Sequence, residues 1–276
     1  MNTNVNDAMA TIRKFAPNAF PKVGIILGSG LGGIAEQITN PITIPFQAFG
    51  LTSGTVAGHA SLLVFGNLND TPVVCLKGRL HLYEGASYEA LRTYIRILKH
   101  LGVRSLVLTA SVGSLREDIV PGDIVIVNDH INFQPGNPLQ GPNDESMGPR
   151  FVDLQDAYDP GLITIFKRTA ERLTIPVKEG IYISTLGPSF ETPAEIRMFQ
   201  LFGADLIGMS VVAEVILARH TGMRVFSVAA VTNMAVGLSD QRVTHELTLQ
   251  QGEIAARKLV KLIPAFLKDG EAELNA

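Results

Sequence analysis

A chain of 276 residues that is 46% hydrophobic and 18% charged has the composition of a globular protein, with room for one large core or two smaller ones. Its formal net charge of −3 gives no electrostatic footing for nucleic acid or an anionic membrane, so any anion it binds is expected to be small. No apolar run reaches the roughly 18 residues of a membrane span, residues 1–7 lack the basic and apolar stretches of a secretory leader, and the one cysteine, Cys75, lies in the apolar run 73–76. The expectation is a cytoplasmic protein without an internal disulfide.

Residues 7–16 carry apolar side chains at helical spacing, and 17–21 connect them to Val23-Gly24-Ile25-Ile26-Leu27. That run has no polar alternation and reads as a strand buried on both faces. It ends at Gly28-Ser29-Gly30, with Gly32 and Gly33 just beyond. Such glycines let the chain turn sharply and point backbone N–H groups at an anion, although a tight turn without a ligand would use them equally well. Gly28, Gly30 and Gly33 satisfy the dinucleotide pattern G-x-G-x-x-G, but residues 48–54 lack the carboxylate that a nicotinamide oxidoreductase places on the ribose about 20 residues later. No Lys-Ser/Thr pair follows to make a P-loop.

Two β-like runs, 60–65 and 72–76, flank a hairpin-like 66–70, and a helix is expected over 88–100. Strands follow at 105–108 and 123–127. Residues 133–150 contain four Pro and three Gly and read as a long irregular loop, the kind that in compact domains is usually functional. Its few apolar residues give it little to pack with, so a neighbouring subunit is expected to hold it. Helices at 162–173, 193–202, 212–220 and 244–267 then alternate with extended runs at 180–185, 204–209 and 223–231. This rhythm predicts a single α/β domain over residues 1–276, with a mostly parallel or mixed sheet flanked by helices.

Chemistry gathers at the predicted strand ends. In extended chain Arg79, His81 and Tyr83 point one way, and a guanidinium beside an imidazole offers an anion a fork of donors. His59, after Gly58, and Ser210, after the strand 204–209, could converge with Ser29, Arg79 and His81. A solvated basic loop is the plainer reading of Arg79 and His81. Phe190 and Glu191 sit at a strand-to-helix turn and Asn233 just past a strand. A ring, a carboxylate and an amide suit a heterocyclic base, while helix-start and turn preferences account for Glu191 and Asn233 individually.

Taken together, Leu27-Gly28-Ser29-Gly30-Leu31-Gly32, Gly78-Arg79-Leu80-His81-Leu82-Tyr83-Glu84-Gly85, Gly187-Pro188-Ser189-Phe190-Glu191-Thr192, Gly208-Met209-Ser210 through Ala218-Arg219-His220, and Thr232-Asn233 closely resemble the trimeric class of purine nucleoside phosphorylases, in the same order along nearly the whole chain. The resemblance implies a twisted, partly barrel-like sheet, a homotrimer, no metal or organic cofactor, and reversible phosphorolysis of 6-oxopurine nucleosides and deoxynucleosides in purine salvage, with inorganic phosphate as cosubstrate. It implies that Ser29, His59, Arg79, His81, Ser210 and the backbone N–H of Ser111 bind phosphate. Tyr83, Met209 and His245 would line the sugar, and Phe190, Glu191 and Asn233 would hold the base. His81, Glu191 and Asn233 would be catalytic.

Three departures stand out. Ala110-Ser111 replaces a frequent Asn-Ala; Met147 stands where a neighbouring subunit often supplies an aromatic residue to the sugar; and residues 234–240 resemble bacterial members of broader purine range. A methylthioadenosine phosphorylase is the alternative, but that branch typically has Asp at the position of Asn233. No Gly-x-Ser-x-Gly elbow or His-Glu-x-x-His pair points to a serine hydrolase or a zinc enzyme.

Overall fold

The structure, a computed structural model, describes residues 5–51, 61–240 and 242–275, with nothing described of the side chains of His245 and Leu247. In chain order the elements are α1 (Val5–Phe15), β1 (Val23–Ile26), β2 (Thr39–Pro45), β3 (Leu62–Leu68), β4 (Thr71–Lys77), α2 (Tyr88–Leu101), β5 (Ser105–Ser114), β6 (Ile124–Asn132), α3 (Pro160–Arg172), β7 (Lys178–Ser184), α4 (Pro193–Leu201), β8 (Leu206–Gly208), α5 (Val212–His220), β9 (Arg224–Met234), α6 (His245–Asp269) and α7 (Glu271–Asn275).

Alternation along the strands divides the core into two layers. Ile26, Val74, Leu76, Leu106 and Leu108 face α1, α2 and α5, whereas Ile25, Val73, Cys75 and Val107 face α3, α6 and α7. Because both faces are covered, the central strands are largely apolar and carry no regular polar alternation, their polar residues, such as Thr109 in β5 and Thr232 in β9, being buried. Local signals fix the helix ends. Ser87 caps α2 by accepting from the Ala90 N–H at 3.2 Å, and Gly102 closes it in the left-handed conformation. Thr192 and Glu195 form a reciprocal capping box at the start of α4.

The sheet order is β2-β3-β4-β1-β5-β8-β7-β6-β9, and β9 returns to pair with β5, so β5, β8, β7, β6 and β9 close into a ring. Parallel pairs (β1–β4, β1–β5, β5–β9, β6–β7, β7–β8) mix with antiparallel ones (β2–β3, β3–β4, β5–β8, β6–β9). The partly barrel-like mixed sheet is therefore as expected. On one edge β5 pairs with β1 from Ser105 to Leu108 and with β8 at Gly113 and Ser114. Between those partners lies a gap at residues 109–112, a switch point of the kind that receives ligands in open α/β sheets.

Several local expectations need correction. β2 went unsignalled because Pro41 and Pro45 look like breakers; it is an edge strand, mostly exposed, where proline is tolerated. The β3–β4 strands extend through Gly66 to Leu68, leaving Asn69 and Asp70, both at positive φ, as the turn. β5 does not stop at Leu108 but runs to Ser114, so Ser111 lies within a strand rather than in a turn. Contacts within the chain do not bear on the neighbour expected to hold the loop 133–150: here Arg92 donates to the carbonyls of Pro138 and Gln140, Arg150 to those of Leu139 and Gly141, and Asn143 Oδ1 lies 3.2 Å from His220 Nε2. Apolar contact adds to these bonds, with Leu139 packed against the core and Phe133 edge-on to Phe199, ring centroids 5.0 Å apart.

Candidate active site

The glycine turn after β1 is held against the gap in β5. The Gly28 N–H donates to Thr109 Oγ1 at 2.9 Å, and a Cβ on Gly28 would fall 2.8 Å from the Thr109 carbonyl oxygen, so only glycine allows this approach. Gly30 completes the turn with φ of 75°. Across the gap, Arg79 is 2% exposed; its Nη1 donates to the Thr109 carbonyl at 3.2 Å and to Ser210 Oγ at 2.9 Å. Its Nε lies 3.0 Å from Glu214 Oε1.

His81 follows with its Nδ1 2.8 Å from Glu84 Oε2 and its ring stacked on Tyr83, centroids 4.6 Å apart. Burial, then the neighbouring Arg79 charge, lowers the His81 pKa below its ordinary 6.5, against the opposing pull of Glu84. In the neutral ring that results near pH 7, a proton on Nδ1 directed at Glu84 leaves Nε2 as an acceptor for a protonated anion. Burial, with Glu84 adding to it, pushes the Tyr83 hydroxyl up to about 12, so it remains a neutral donor.

Ser210 stands at a strained corner. Val211 has φ of 71° and ψ of −58°, and Val212 N–H donates to the Ser210 carbonyl at 2.8 Å, a γ-turn that a β-branched residue rarely adopts. Neighbours hold it in place: Ser184 Oγ donates to the same carbonyl at 3.0 Å, and the Ser210 N–H donates to the buried Tyr182 hydroxyl at 3.1 Å. Ser111 presents its hydroxyl to the Ser29 carbonyl at 2.7 Å, tying the glycine turn to β5. Thr109 turns its carbonyl to Arg79 across the gap, and by the strand period of two the Ser111 N–H faces the same way.

At the other end, Phe190 is 42% exposed yet lines the cavity. Glu191 Oε1 accepts from Thr185 Oγ1 at 3.1 Å, and burial raises its pKa above the ordinary 4.5. The Asn233 amide is oriented within β9: its Oδ1 accepts from Thr232 Oγ1 at 2.7 Å, and its Nδ2 donates to the Met234 carbonyl at 2.9 Å. A single cavity of about 410 Å³ joins the two ends and is lined by Ser29, Arg79, His81, Tyr83, Ser111, Phe190, Glu191, Met209, Ser210 and Asn233. One end offers hydroxyls and cationic or neutral nitrogen donors suited to an oxyanion. The other offers a ring face, a carboxylate and an amide.

Of the remaining candidates, His59 lies outside the described residues, as does the side chain of His245, although its helix α6 contributes Thr248 and Leu249 to the cavity. Met147 is half-buried in its loop and does not line the cavity of its own chain. Sequence reasoning missed Thr109, Thr185, Glu214 and the role of Glu84. Two of these left a trace: Glu84 follows His81 by three residues, and Glu214 is the lone acid in a helix that is apolar up to Arg219 and His220 at its end, a pattern that points to a buried partner. Among the described residues, no group of three or more His, Cys, Asp or Glu could hold a metal ion, and no helix is long and apolar enough to cross a membrane.

The profile of the Phosphorylase superfamily matches residues 22–268. Purine nucleoside phosphorylase 1 of Geobacillus stearothermophilus is 40% identical over 97% of both chains. The purine nucleoside phosphorylase of Rattus norvegicus is also 40% identical, over 90% of this chain and 89% of that one. Among solved structures, the Schistosoma mansoni purine nucleoside phosphorylase in complex with inosine superposes with a TM-score of 0.90 at 37% identity, covering 96% of this chain and 95% of the other.

Proposed function

The chain belongs to the phosphorylase superfamily and, within it, to the purine nucleoside phosphorylases, and from that premise we propose that its cavity catalyses reversible phosphorolysis of 6-oxopurine nucleosides and deoxynucleosides. A phosphate oxygen forms a bond to the anomeric carbon of the sugar while the bond from that carbon to the purine nitrogen breaks. The electron pair leaves with the base, and pentose 1-phosphate is the other product. The observation that carries this reading is the union, in one cavity, of an oxyanion end and a base end.

The transition state develops positive charge on the sugar and negative charge on the base. Phosphate held by Ser29, Arg79, His81, Ser210 and the Ser111 N–H, joined by His59 in this reading, lies beside the first. Asn233, through a hydrogen bond to the purine ring nitrogen, and Glu191, by accepting from the base N–H groups, stabilise and orient the second. Phe190 packs on the purine, while Tyr83, Met209 and His245 surround the sugar. Fixing both substrates in one cavity replaces a bimolecular encounter with an oriented one. No metal or organic cofactor enters this scheme. We further propose that the whole chain, residues 1–276, acts as one domain in a cytoplasmic homotrimer engaged in purine salvage, with Met147 of each subunit directed to a neighbour's sugar pocket.

The decisive experiment follows inosine cleavage with and without phosphate. Hypoxanthine release that depends on phosphate and yields ribose 1-phosphate supports the reading. Equal cleavage in phosphate-free buffer, releasing free ribose, would make the protein a hydrolase.

A further inference from the structure

We propose that Glu214 is a positioning residue for phosphate recognition, fixing the plane of the Arg79 guanidinium from behind the cavity. This inference rests on the functional reading above. Glu214 is 2% exposed in α5, where Val212, Ala213, Val215, Ile216, Leu217 and Ala218 are all buried. A carboxylate this deep is stable only when paired, and its Oε1 lies 3.0 Å from Arg79 Nε, the two side chains being 3% and 1% exposed. On the opposite side, Arg79 Nη1 is bound to the Thr109 carbonyl and Ser210 Oγ. The guanidinium is planar, so a close ion-pair contact on its Nε side, together with the hydrogen bonds at Nη1, limits the direction of the whole fork.

Charge alone does not explain the placement. A carboxylate behind a phosphate site opposes anion binding by Coulomb repulsion, and Glu214 does not line the cavity, so it touches no substrate. What it supplies is orientation of a long, flexible side chain whose rotamers would otherwise have to be ordered by the phosphate itself. It also compensates the Arg79 charge when no phosphate is bound.

The test separates orientation from charge. Glu214→Gln keeps an acceptor oxygen in place and removes the charge; Glu214→Asp keeps the charge and withdraws the oxygen by one methylene. If Glu214 orients Arg79, the Gln variant keeps a phosphate KM within about threefold of the parent, while the Asp variant raises it about tenfold or more with the nucleoside KM little changed. A severe Gln variant beside a mild Asp variant, or equal losses for both substrates, overturns the proposal. Should Glu214→Asp fail to fold, Glu214→Gln decides alone, a rise of about tenfold in phosphate KM refuting the role. The rise in Tm that inorganic phosphate confers on each folded variant reads the same role independently of turnover. A parent enzyme that binds phosphate yet cleaves without it would sink the phosphorolytic reading and leave this one standing.

Discussion

Removing the Ser111 hydroxyl asks whether this chain has gained an extra phosphate ligand or a staple for its glycine turn. The hydroxyl has one proton, and at 2.7 Å that proton is directed to the Ser29 carbonyl. To donate to phosphate it must abandon that bond, so its contribution to binding is the difference between two hydrogen bonds. A neutral bond is worth about 0.5–1.5 kcal/mol net and one to a charged acceptor about 1.5–3 kcal/mol, which leaves roughly 1 kcal/mol for the exchange. Ser111→Ala should therefore lower unfolding stability by about 0.5–1.5 kcal/mol and change the phosphate KM by less than tenfold, the equivalent of about 1.4 kcal/mol. Ser111→Pro deletes the backbone N–H as well and should be far more damaging, in part because Ser111 lies in β5 opposite Ala230 of β9. Steady-state kinetics at varied phosphate, alongside urea denaturation, provides both readings. A tenfold or greater loss in the Ala variant, with stability unchanged, would show that the hydroxyl is a ligand and that the staple is unimportant.

Three further outcomes follow from the same geometry. Asn233→Asp would set a carboxylate oxygen 2.9 Å from the Met234 carbonyl; the acid must then carry a proton or turn, and kcat/KM should shift from inosine toward adenosine by about tenfold or more, whereas an unchanged ratio removes Asn233 from base selection. His81, His130 and His220 are all held below the ordinary 6.5, first of all by burial. The unfolded chain therefore takes up protons that the native one refuses, and stability present above pH 6.5 is lost as pH falls toward the folded values, while Glu191, its carboxyl raised by burial, opposes this loss as it takes up its proton above pH 4.5. Tm should drop between about pH 7 and 5.5 and His130→Gln should flatten the curve; a flat parent curve would contradict this. Light scattering should give about three times the chain mass of 29.7 kDa, since Leu201 is 87% and Phe202 54% exposed on one chain; a fully active monomer would refute it.

What could be read from sequence follows from where each signal is stored. Central strands such as β1 and β4 are buried on both faces, so composition alone marks them, and helices with Ser87, Thr192 or a closing Gly102 carry their ends in local chemistry. β2 was invisible because an edge strand obeys pairing with β3 rather than its own propensity, and the ring closure of β9 onto β5 depends on register over more than a hundred residues. The site divides in the same way. The residues proposed to meet substrate cluster in short motifs after strands, and Ser29, Arg79, His81, Glu191, Ser210 and Asn233 all reach one cavity.

Residues that hold those groups do not cluster, because their roles exist only once the sheet has brought distant segments together. Thr109 accepts from the Gly28 N–H through its hydroxyl and from Arg79 through its carbonyl, joining three separate stretches at the gap in β5. Glu214 reaches Arg79 from a helix more than a hundred positions away. The same folding step concentrates the strain: the γ-turn at Val211 is affordable because Tyr182 and Ser184 pin Ser210 on both sides of its peptide, and that pinning aims the Ser210 hydroxyl where Arg79 meets it. The proposed substrate ligands are thus carried by motif and their precision by topology, so that variants of those ligands should mainly change affinity and turnover, and variants of Thr109, Tyr182 or Glu214 should change how well the ligands are aimed.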